Sequence, residues 1–156
     1  MFVQSVSLII PCYNEEESIP LFLETIRPIA DREPYRFEFI FINDGSSDAT
    51  PEVLRAEHAK DRRVKIINLS RNFGKEHAMA AGFHAASGDA VIPMDVDLQD
   101  PPELISSFLR RWEEGYDVVI GVRRKRTADT CFKRLSAGLF YRFFNHLCGK
   151  RLVPNA

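Results

Sequence analysis

The 156-residue sequence has little cysteine and no long apolar run. No stretch approaches the roughly 20 apolar residues that a helix needs to cross a bilayer, and the first ten residues lack the basic start of a signal peptide. The three cysteines are widely spaced and follow no metal-ligand pattern. We therefore expect reduced thiols in a protein on the cytosolic side of the membrane, and neither a disulfide framework nor a spanning segment.

Several common catalytic signatures are also absent from the sequence. It has neither the Gly-x-Gly-x-x-Gly pattern of dinucleotide-binding folds nor the Gly-x-x-x-x-Gly-Lys-Ser/Thr pattern of P-loop enzymes. It has no Gly-x-Ser-x-Gly elbow for a serine nucleophile, and its histidines are scattered without ligand spacing. These absences argue against an NAD-type oxidoreductase, a P-loop enzyme and a serine hydrolase. A bound diphosphate would have to be held by a metal ion and basic side chains.

The composition that is present predicts a folded domain with a basic extension. Apolar residues make up 45% of the chain, which is enough for a hydrophobic core. The net charge of -1 hides an uneven distribution, because residues 123–151 hold nine Lys and Arg against Asp129 alone. We predict an α/β domain over residues 1–122 and a basic amphipathic extension over 123–156, which faces an anionic partner such as a phospholipid surface or a phosphate.

Within the extension, residues 132–147 show helical periodicity. Phe and Leu side chains fall on one broad arc, and Arg, Tyr and Asn occupy the other. This pattern favours a helix in a membrane interface, because a basic cluster at 123–126 precedes it and such clusters attract anionic lipid. A helix that packs on the sheet would show a similar pattern, so that alternative stays open.

Strand and helix patterns alternate along residues 1–122. Short apolar runs predict strands near 6–10 (which Pro11 would end), 36–42, 64–69, 90–94 and 117–121. Helices are predicted near 18–31, 50–60, 76–86 and 101–114, the last opened by Pro101 and Pro102 at its first positions. This βαβα order predicts an open, mostly parallel, Rossmann-like α/β sheet with helices on both faces.

Polar residues follow the predicted strands where each strand ends. Tyr13, Asp44, Asn72 and the pair Asp95 and Asp97 all occupy such positions. In open parallel sheets, ligands bind outside the carboxyl ends of the strands. Two carboxylates so close repel unless a cation lies between them, and Mg²⁺ is commonly held by one or two carboxylates together with substrate phosphates. The alternative is that these acids only cap the following helix.

Four motifs stand in the order and spacing of one known family: PCYNE at 11–15, NDGSSD at 43–48, RNFGK at 71–75 and MDVDLQDP at 94–101. Together they resemble the family 2 glycosyltransferases. The closest resemblance is to the polyprenyl-phosphate branch, which includes dolichyl-phosphate mannose synthase and the bactoprenol glucosyltransferases. It covers essentially the whole chain. It implies a nucleotide-diphospho-sugar transferase fold of the GT-A type, and it implies that the chain is a catalytic-domain fragment that stops before a transmembrane part.

The resemblance also implies site residues. The implied donor-binding set is Pro11, Tyr13, Glu15, Asp44, Lys75, Asp95, Asp97 and Gln99. In the family pattern Tyr13 would lie against the base or ribose, and Asp44 would hydrogen-bond the base. Gln99 would support the sugar or a phosphate. Residue-level alternatives remain, namely a packed aromatic for Tyr13 and turns stabilised by Asx hydrogen bonds for Asp44 and Asp48.

The implied catalytic set is Asp95, Asp97 and Arg123. Asp95 and Asp97 would be the metal ligands and hold the Mg²⁺ or Mn²⁺ that bridges the donor diphosphate. Arg123, in the family's Gly-x-Arg position, would meet a phosphate, and the alternative is a solvated charge. Lys75 likewise has either a donor-binding or a purely structural interpretation.

The implied reaction is an inverting transfer of a hexose from a nucleotide diphospho-sugar, with UDP-glucose favoured, to a polyprenyl phosphate. It would take place at the cytoplasmic face of the plasma membrane, against an anionic lipid surface and without nucleic acid; the oligomeric state is left open. The ionised acceptor phosphate needs no general base. We expect the chain to bind nucleotide diphosphate with metal but to transfer little sugar. The alternatives are a polysaccharide or soluble acceptor, which would usually require a base, and a non-catalytic lipid-surface module.

Overall fold

The computed structural model describes residues 4–122. Its chain divides into two compact units, Met1–Gly115 and Tyr116–Ala156. The first unit contains one four-stranded, wholly parallel sheet in the order β3-β2-β1-β4. The strands are β1 (Ser5–Cys12), β2 (Arg36–Asn43), β3 (Val64–Asn68) and β4 (Ala90–Pro93). The predicted parallel α/β sheet is confirmed.

Four helices cover this sheet on both faces: α1 (Ser18–Ala30), α2 (Thr50–Lys60), α3 (Lys75–Ala85) and α4 (Leu104–Glu113). One face packs α3 against the strands through Ala78, Ile9 and Ile42. On the other face, α1, α2 and α4 share one larger core that contains Phe22 and Leu54. None of the helices among residues 4–122 combines the length and apolarity needed to cross a membrane.

The central strands are buried on both faces, as expected for a parallel sheet covered by helices. Leu8, Ile9 and Ile10 follow one another in β1 and are all fully buried. Because successive side chains point to opposite faces, an unbroken apolar run supplies both cores at once. The ladder pairs Leu8 with Phe39 and places the ends of β1 and β2 side by side at Cys12 and Asn43.

Two proline positions differ from the prediction. Pro11 does not end β1, which continues to Cys12. The backbone carbonyl of Ile9 accepts a hydrogen bond from the Met94 amide, so the backbone polar groups of Ile9 point toward β4. The backbone of Pro11 points the same way but lies beyond the last residue of β4. The N–H group that proline lacks therefore breaks no hydrogen bond between strands. The prolines before α4 precede the helix, which begins at Leu104; their carbonyls accept from the amides of the first helical turn.

The predicted fifth strand at 117–121 is wrong. Residues 116–122 form no strand, and Val118 and Ile120 are 75% and 54% exposed. An apolar run becomes a strand only where a neighbouring backbone pairs with it, and periodicity alone does not show such a neighbour. Arg123, the extension over 123–156 and the predicted helix at 132–147 lie outside the described residues, so those predictions stay predictions.

A buried carboxylate ties β2 to the loop between α3 and β4. Glu38 is 9% exposed and accepts hydrogen bonds from the Ser7 hydroxyl and the Lys65 ammonium. It also accepts from the Ser87 amide at 2.9 Å. Burial alone would raise the pKa of Glu38, but the bonds from Lys65, Ser7 and Ser87 outweigh it and lower the pKa to about 2. The charged form is therefore stabilised by the fold.

This network predicts a specific acid sensitivity. Because the pKa of Glu38 is lower in the folded chain than its ordinary value of 4.5, its stabilisation is present above about pH 4.5 and is lost as the pH falls toward 2. Between pH 6 and pH 2.5, the free energy of unfolding should fall by roughly 2 kcal/mol more in the wild type than in Glu38→Gln. Urea unfolding at each pH measures this difference. Glu24→Gln, which removes an exposed carboxylate from α1, should lose as much free energy of unfolding between the two pH values as the wild type. An equal loss in all three proteins would contradict the prediction.

Candidate functional site

The loops that follow β1, β2, β3 and β4 converge on one open cleft at the carboxyl edge of the sheet. Its volume is about 350 Å³. The lining residues are Pro11, Cys12, Tyr13, Glu15, Asp44, Asn72, Gly74, Lys75, Ala78, Asp95, Val96 and Asp97. Thus seven of the predicted site residues share one cleft. Gln99 is not among its lining residues, and Arg123 lies outside residues 4–122.

Tyr13 lies at the mouth of this cleft and is 45% exposed. A packed aromatic at a strand end would be buried, so the exposed fraction argues against that alternative. An aromatic ring with an open face offers a stacking surface for a planar base. The geometry is therefore compatible with the predicted contact to a base or ribose.

A reciprocal hydrogen-bonded clamp joins the loop after β1 to the loop after β2. The Asn14 amide donates to the Ser46 hydroxyl at 2.9 Å, and the Ser47 amide donates back to the Asn14 side-chain oxygen at 2.8 Å. A second exchange runs from the Ala49 amide to the Glu16 carboxylate at 2.7 Å. Asn14 has φ +56°, a left-handed conformation that Asn tolerates better than most residues. These contacts were not predicted from the sequence.

Two acids near the cleft fix the local chain, Asp48 through backbone amides and Glu15 through a side-chain hydroxyl. Asp48 accepts from the Thr50 amide at 3.0 Å and from the Glu16 amide at 3.3 Å. This confirms the Asx-turn interpretation of Asp48. The Glu15 carboxylate accepts from the Ser18 hydroxyl at 2.6 Å, at the first residue of α1. Glu15 therefore lines the cleft and also fixes the start of the helix.

Asp44 is almost fully buried, with 4% exposure. Its two carboxylate oxygens accept from the Phe73 and Gly74 amides, each at 2.8 Å, and its own amide donates to the Cys12 carbonyl at 2.9 Å. Asp44 thus fixes the loop before α3 beside the end of β1. Each oxygen retains a lone pair, so a contact to a base stays a prediction alongside this structural role.

The two aspartates after β4 differ in their partners. Both oxygens of Asp95 contact the Lys75 ammonium, at 2.6 and 2.8 Å. One oxygen of Asp97 accepts from the Gln99 amide at 3.1 Å, and its other oxygen has no partner within residues 4–122. Leu98, between Asp97 and Gln99, has φ +56°, an uncommon conformation for a branched apolar residue. The turn therefore holds Asp97 at the cleft while one of its oxygens remains available.

Cys12 lines the cleft and lies near several carboxylates. Burial raises the pKa of Cys12 to about 12, with further contributions from the charges of Glu15, Asp48 and Asp44. Cys12 therefore stays protonated at neutral pH and is not a nucleophile. The same negative charges attract cations into the cleft.

The carboxylate oxygens in the cleft fit a divalent metal ion that a substrate helps to hold. Asp95 and Asp97 offer hard oxygen ligands in one cleft, and Asp95 already carries a cation in the form of the Lys75 ammonium. Within residues 4–122, no three His, Cys, Asp or Glu side chains come together as a complete metal site. Two carboxylates supplemented by donor phosphates match the usual coordination of Mg²⁺.

A parallel four-stranded sheet covered by helices on both faces is the α/β fold of the GT-A type, which solved structures of glycosyltransferases share. Within that class, the family model for glycosyl transferase family 2 matches residues 7–155. The chain belongs to this family, and the family resemblance of its four motifs is confirmed.

The chain is similar to the bactoprenol glucosyl transferase of Shigella phage SfV, with 45% identity over 96% of this chain and 49% of the relative. It therefore spans about half the length of that relative. Two solved structures share the fold. One is a Pyrobaculum calidifontis mannosyltransferase in complex with GDP-Man and Mn²⁺, with 24% identity and a TM-score of 0.60 over 83% of this chain and 38% of that one.

The other is the glucosyl-3-phosphoglycerate synthase of Mycobacterium tuberculosis in complex with Mn²⁺, UDP-glucose and phosphoglyceric acid. It has 21% identity and a TM-score of 0.65 over 94% of this chain and 51% of that one. At this identity the likeness establishes the fold. The ligands in both structures are properties of those proteins.

Proposed function

We propose that this domain transfers a hexose from a nucleotide diphospho-sugar to a polyprenyl phosphate, with UDP-glucose as the favoured donor and inversion at the anomeric carbon. The observation that carries the proposal is the convergence of Tyr13, Asp44, Asp95 and Asp97 on one cleft. The similarity to a bactoprenol glucosyl transferase supports this choice of sugar and acceptor.

The nucleotide would occupy the part of the cleft between the loops after β1 and β2. Pro11 and Glu15 form its wall, and the half-exposed ring of Tyr13 supplies a stacking surface for the base. Asp44 holds the loop before α3 and retains lone pairs for a base donor. The Asn14–Ser47 clamp keeps the two loops at a fixed separation, which lowers the conformational entropy lost on binding.

Asp95 and Asp97 would hold the Mg²⁺ or Mn²⁺ of the donor. When bound, such an ion offsets the negative charge that develops on the leaving diphosphate. Gln99 fixes one oxygen of Asp97 through its backbone amide and so orients this carboxylate. The Mn²⁺ in the two structural neighbours supports a divalent ion for this fold.

The acceptor side of the proposal depends on charge. A phosphate monoester is ionised at neutral pH and attacks without a general base, which agrees with the absence of a nucleophile–base pair from the sequence motifs. Arg123 and the basic stretch 123–151 would meet the acceptor phosphate and an anionic membrane at its cytoplasmic face.

Calorimetry of the 156-residue chain tests the donor half of the proposal. UDP and GDP are titrated with Mn²⁺ present and again after its removal with EDTA. We expect Mn²⁺-dependent binding, because metal and diphosphate complete one another's coordination. UDP should bind more tightly than GDP, since UDP-glucose is the proposed donor. If neither nucleotide binds in a metal-dependent way, the proposal fails. Although we expect this chain to transfer little sugar, radiolabelled glucose recovered from UDP-glucose on undecaprenyl phosphate in vesicles, and not on a soluble acceptor, would separate the two acceptors.

A further inference from the structure

We infer that Lys75 competes with the divalent cation for Asp95 and moves to the donor diphosphate when the donor binds. The cleft would then take up metal and nucleotide together, and metal alone only weakly. This inference rests on the proposed function and assigns Lys75 a positioning and selectivity role within it. It is carried by the contact of the Lys75 ammonium with both oxygens of Asp95.

The first argument is occupancy. An ammonium 2.6 and 2.8 Å from the two oxygens of Asp95 takes one lone pair of each and places a positive charge where a metal ion would lie. Of the two aspartates, only Asp97 then retains an oxygen without a partner within residues 4–122. A single available carboxylate is a poor site for a hydrated Mg²⁺ or Mn²⁺, which dehydrates reluctantly. Because the ammonium and a divalent cation repel each other, metal binding at Asp95 favours the departure of Lys75.

The second argument is the place of Lys75 in the fold. It is the first residue of α3, where the helix dipole and the free backbone N–H groups disfavour a cation and favour an anion. The same helix end with an adjacent ammonium is suited to a phosphate. A diphosphate near this end would attract Lys75 away from Asp95, since it carries more negative charge than one carboxylate.

The third argument is that the backbone next to Lys75 is held in place while the end of the Lys75 side chain is exposed. The preceding residue, Gly74, donates its amide to Asp44 at 2.8 Å. The Lys75 side chain itself is 58% exposed and its partner Asp95 is 43% exposed. A solvated ion pair of this kind contributes little stability and exchanges readily. The ammonium can therefore change partner without any movement of the sheet or of α3.

The test measures two affinities in the 156-residue wild type and in Lys75→Met. Mn²⁺ alone is titrated by electron paramagnetic resonance, which reads the free ion, and UDP with saturating Mn²⁺ is titrated by calorimetry. Removing the competing ammonium should tighten Mn²⁺ binding about two- to fivefold. Losing a charged donor to the diphosphate should weaken UDP binding about tenfold or more. Opposite signs in the two measurements are the expected result.

The matched control is Lys65→Met, which removes an exposed lysine that also pairs with a carboxylate, Glu38, but not in the cleft. Both affinities should stay at wild-type values. The inference is overturned if Lys75→Met binds Mn²⁺ no more tightly than the wild type, or if its UDP affinity is unchanged. If wild type binds Mn²⁺ but never UDP, the proposed function fails, and the Mn²⁺ titration alone still decides the competition at Asp95.

Discussion

Asp97→Asn is expected to abolish Mn²⁺-dependent binding of nucleotide diphosphate and to leave the fold intact. Asp97 lines the cleft and has one oxygen without a partner within residues 4–122. Asparagine is nearly isosteric, and its side-chain oxygen can still accept from the Gln99 amide, so the turn should survive. The substitution removes the charge and puts an amide NH₂ group, which does not ligate a cation, in place of the oxygen without a partner. Since loss of an outer-shell partner already costs about 10- to 100-fold in metal affinity, loss of a ligand should cost at least about 100-fold.

Asp97 is a better choice for this test than Asp95. Neutralising Asp95 would also release Lys75, and two changes would then be measured together. Calorimetry with UDP and Mn²⁺ measures the affinity, and urea unfolding measures stability. Glu24→Gln removes one exposed carboxylate from α1, outside the cleft, and should bind like the wild type. Wild-type affinity in Asp97→Asn would exclude this carboxylate as a ligand.

Much of the fold could be predicted because the relevant signals are local. An apolar run such as 6–10 that ends in polar residues is typical of a buried parallel strand. Once the strands are parallel, their carboxyl ends lie at one edge, so the convergence of Tyr13, Asp44 and Asp95 follows from topology. The position of the cleft at the carboxyl edge of the sheet could therefore be predicted without any knowledge of side-chain geometry.

The partners of these residues could not be predicted, because they depend on contacts between distant segments. Lys75 and Asp95 are 20 positions apart, and they meet because the loop before α3 and the loop after β4 line the same cleft. One signal was available: a lysine at the start of a helix opposes the helix dipole, and such a position favours a compensating anion. The buried bonds of Asp44 to the Phe73 and Gly74 amides left no comparable signal.

The error at 117–121 has a different origin. Its apolar residues match a strand pattern as well as those of β4 do, but a pattern describes one segment, whereas a strand requires two. Within the described residues, Val118 and Ile120 are exposed to solvent, so this segment is not a buried strand. Asn14 also depends on a second segment. Its left-handed backbone conformation is held by the clamp to Ser46 and Ser47, whereas the sequence shows only that asparagine tolerates this conformation.

Gly45→Ala is expected to be the most disruptive single-atom change near the cleft. Gly45 has φ +68°, and a Cβ there would lie 2.4 Å from the carbonyl carbon of Arg71 and 2.6 Å from the Asn72 nitrogen. Both are backbone atoms of the loop that Asp44 holds, so relief requires displacement of that loop and of its bonds. The left-handed backbone costs about 1 kcal/mol for alanine and overpacking adds about 2 kcal/mol. We expect a total near 3 kcal/mol.

Gly115→Ala separates these two contributions. Gly115 also has a positive φ, +93°, but a Cβ there would meet nothing within 4 Å. Gly115→Ala should therefore lose only the free energy that the left-handed backbone costs alanine, about 1 kcal/mol by urea unfolding. It should retain UDP binding with Mn²⁺. In Gly45→Ala the displaced loop should carry Lys75 with it, so UDP affinity should fall even under conditions where the chain is fully folded. Equal stability losses in the two variants would mean that the loop at 71–72 moves freely, and Asp44 would then not be what fixes the position of Lys75.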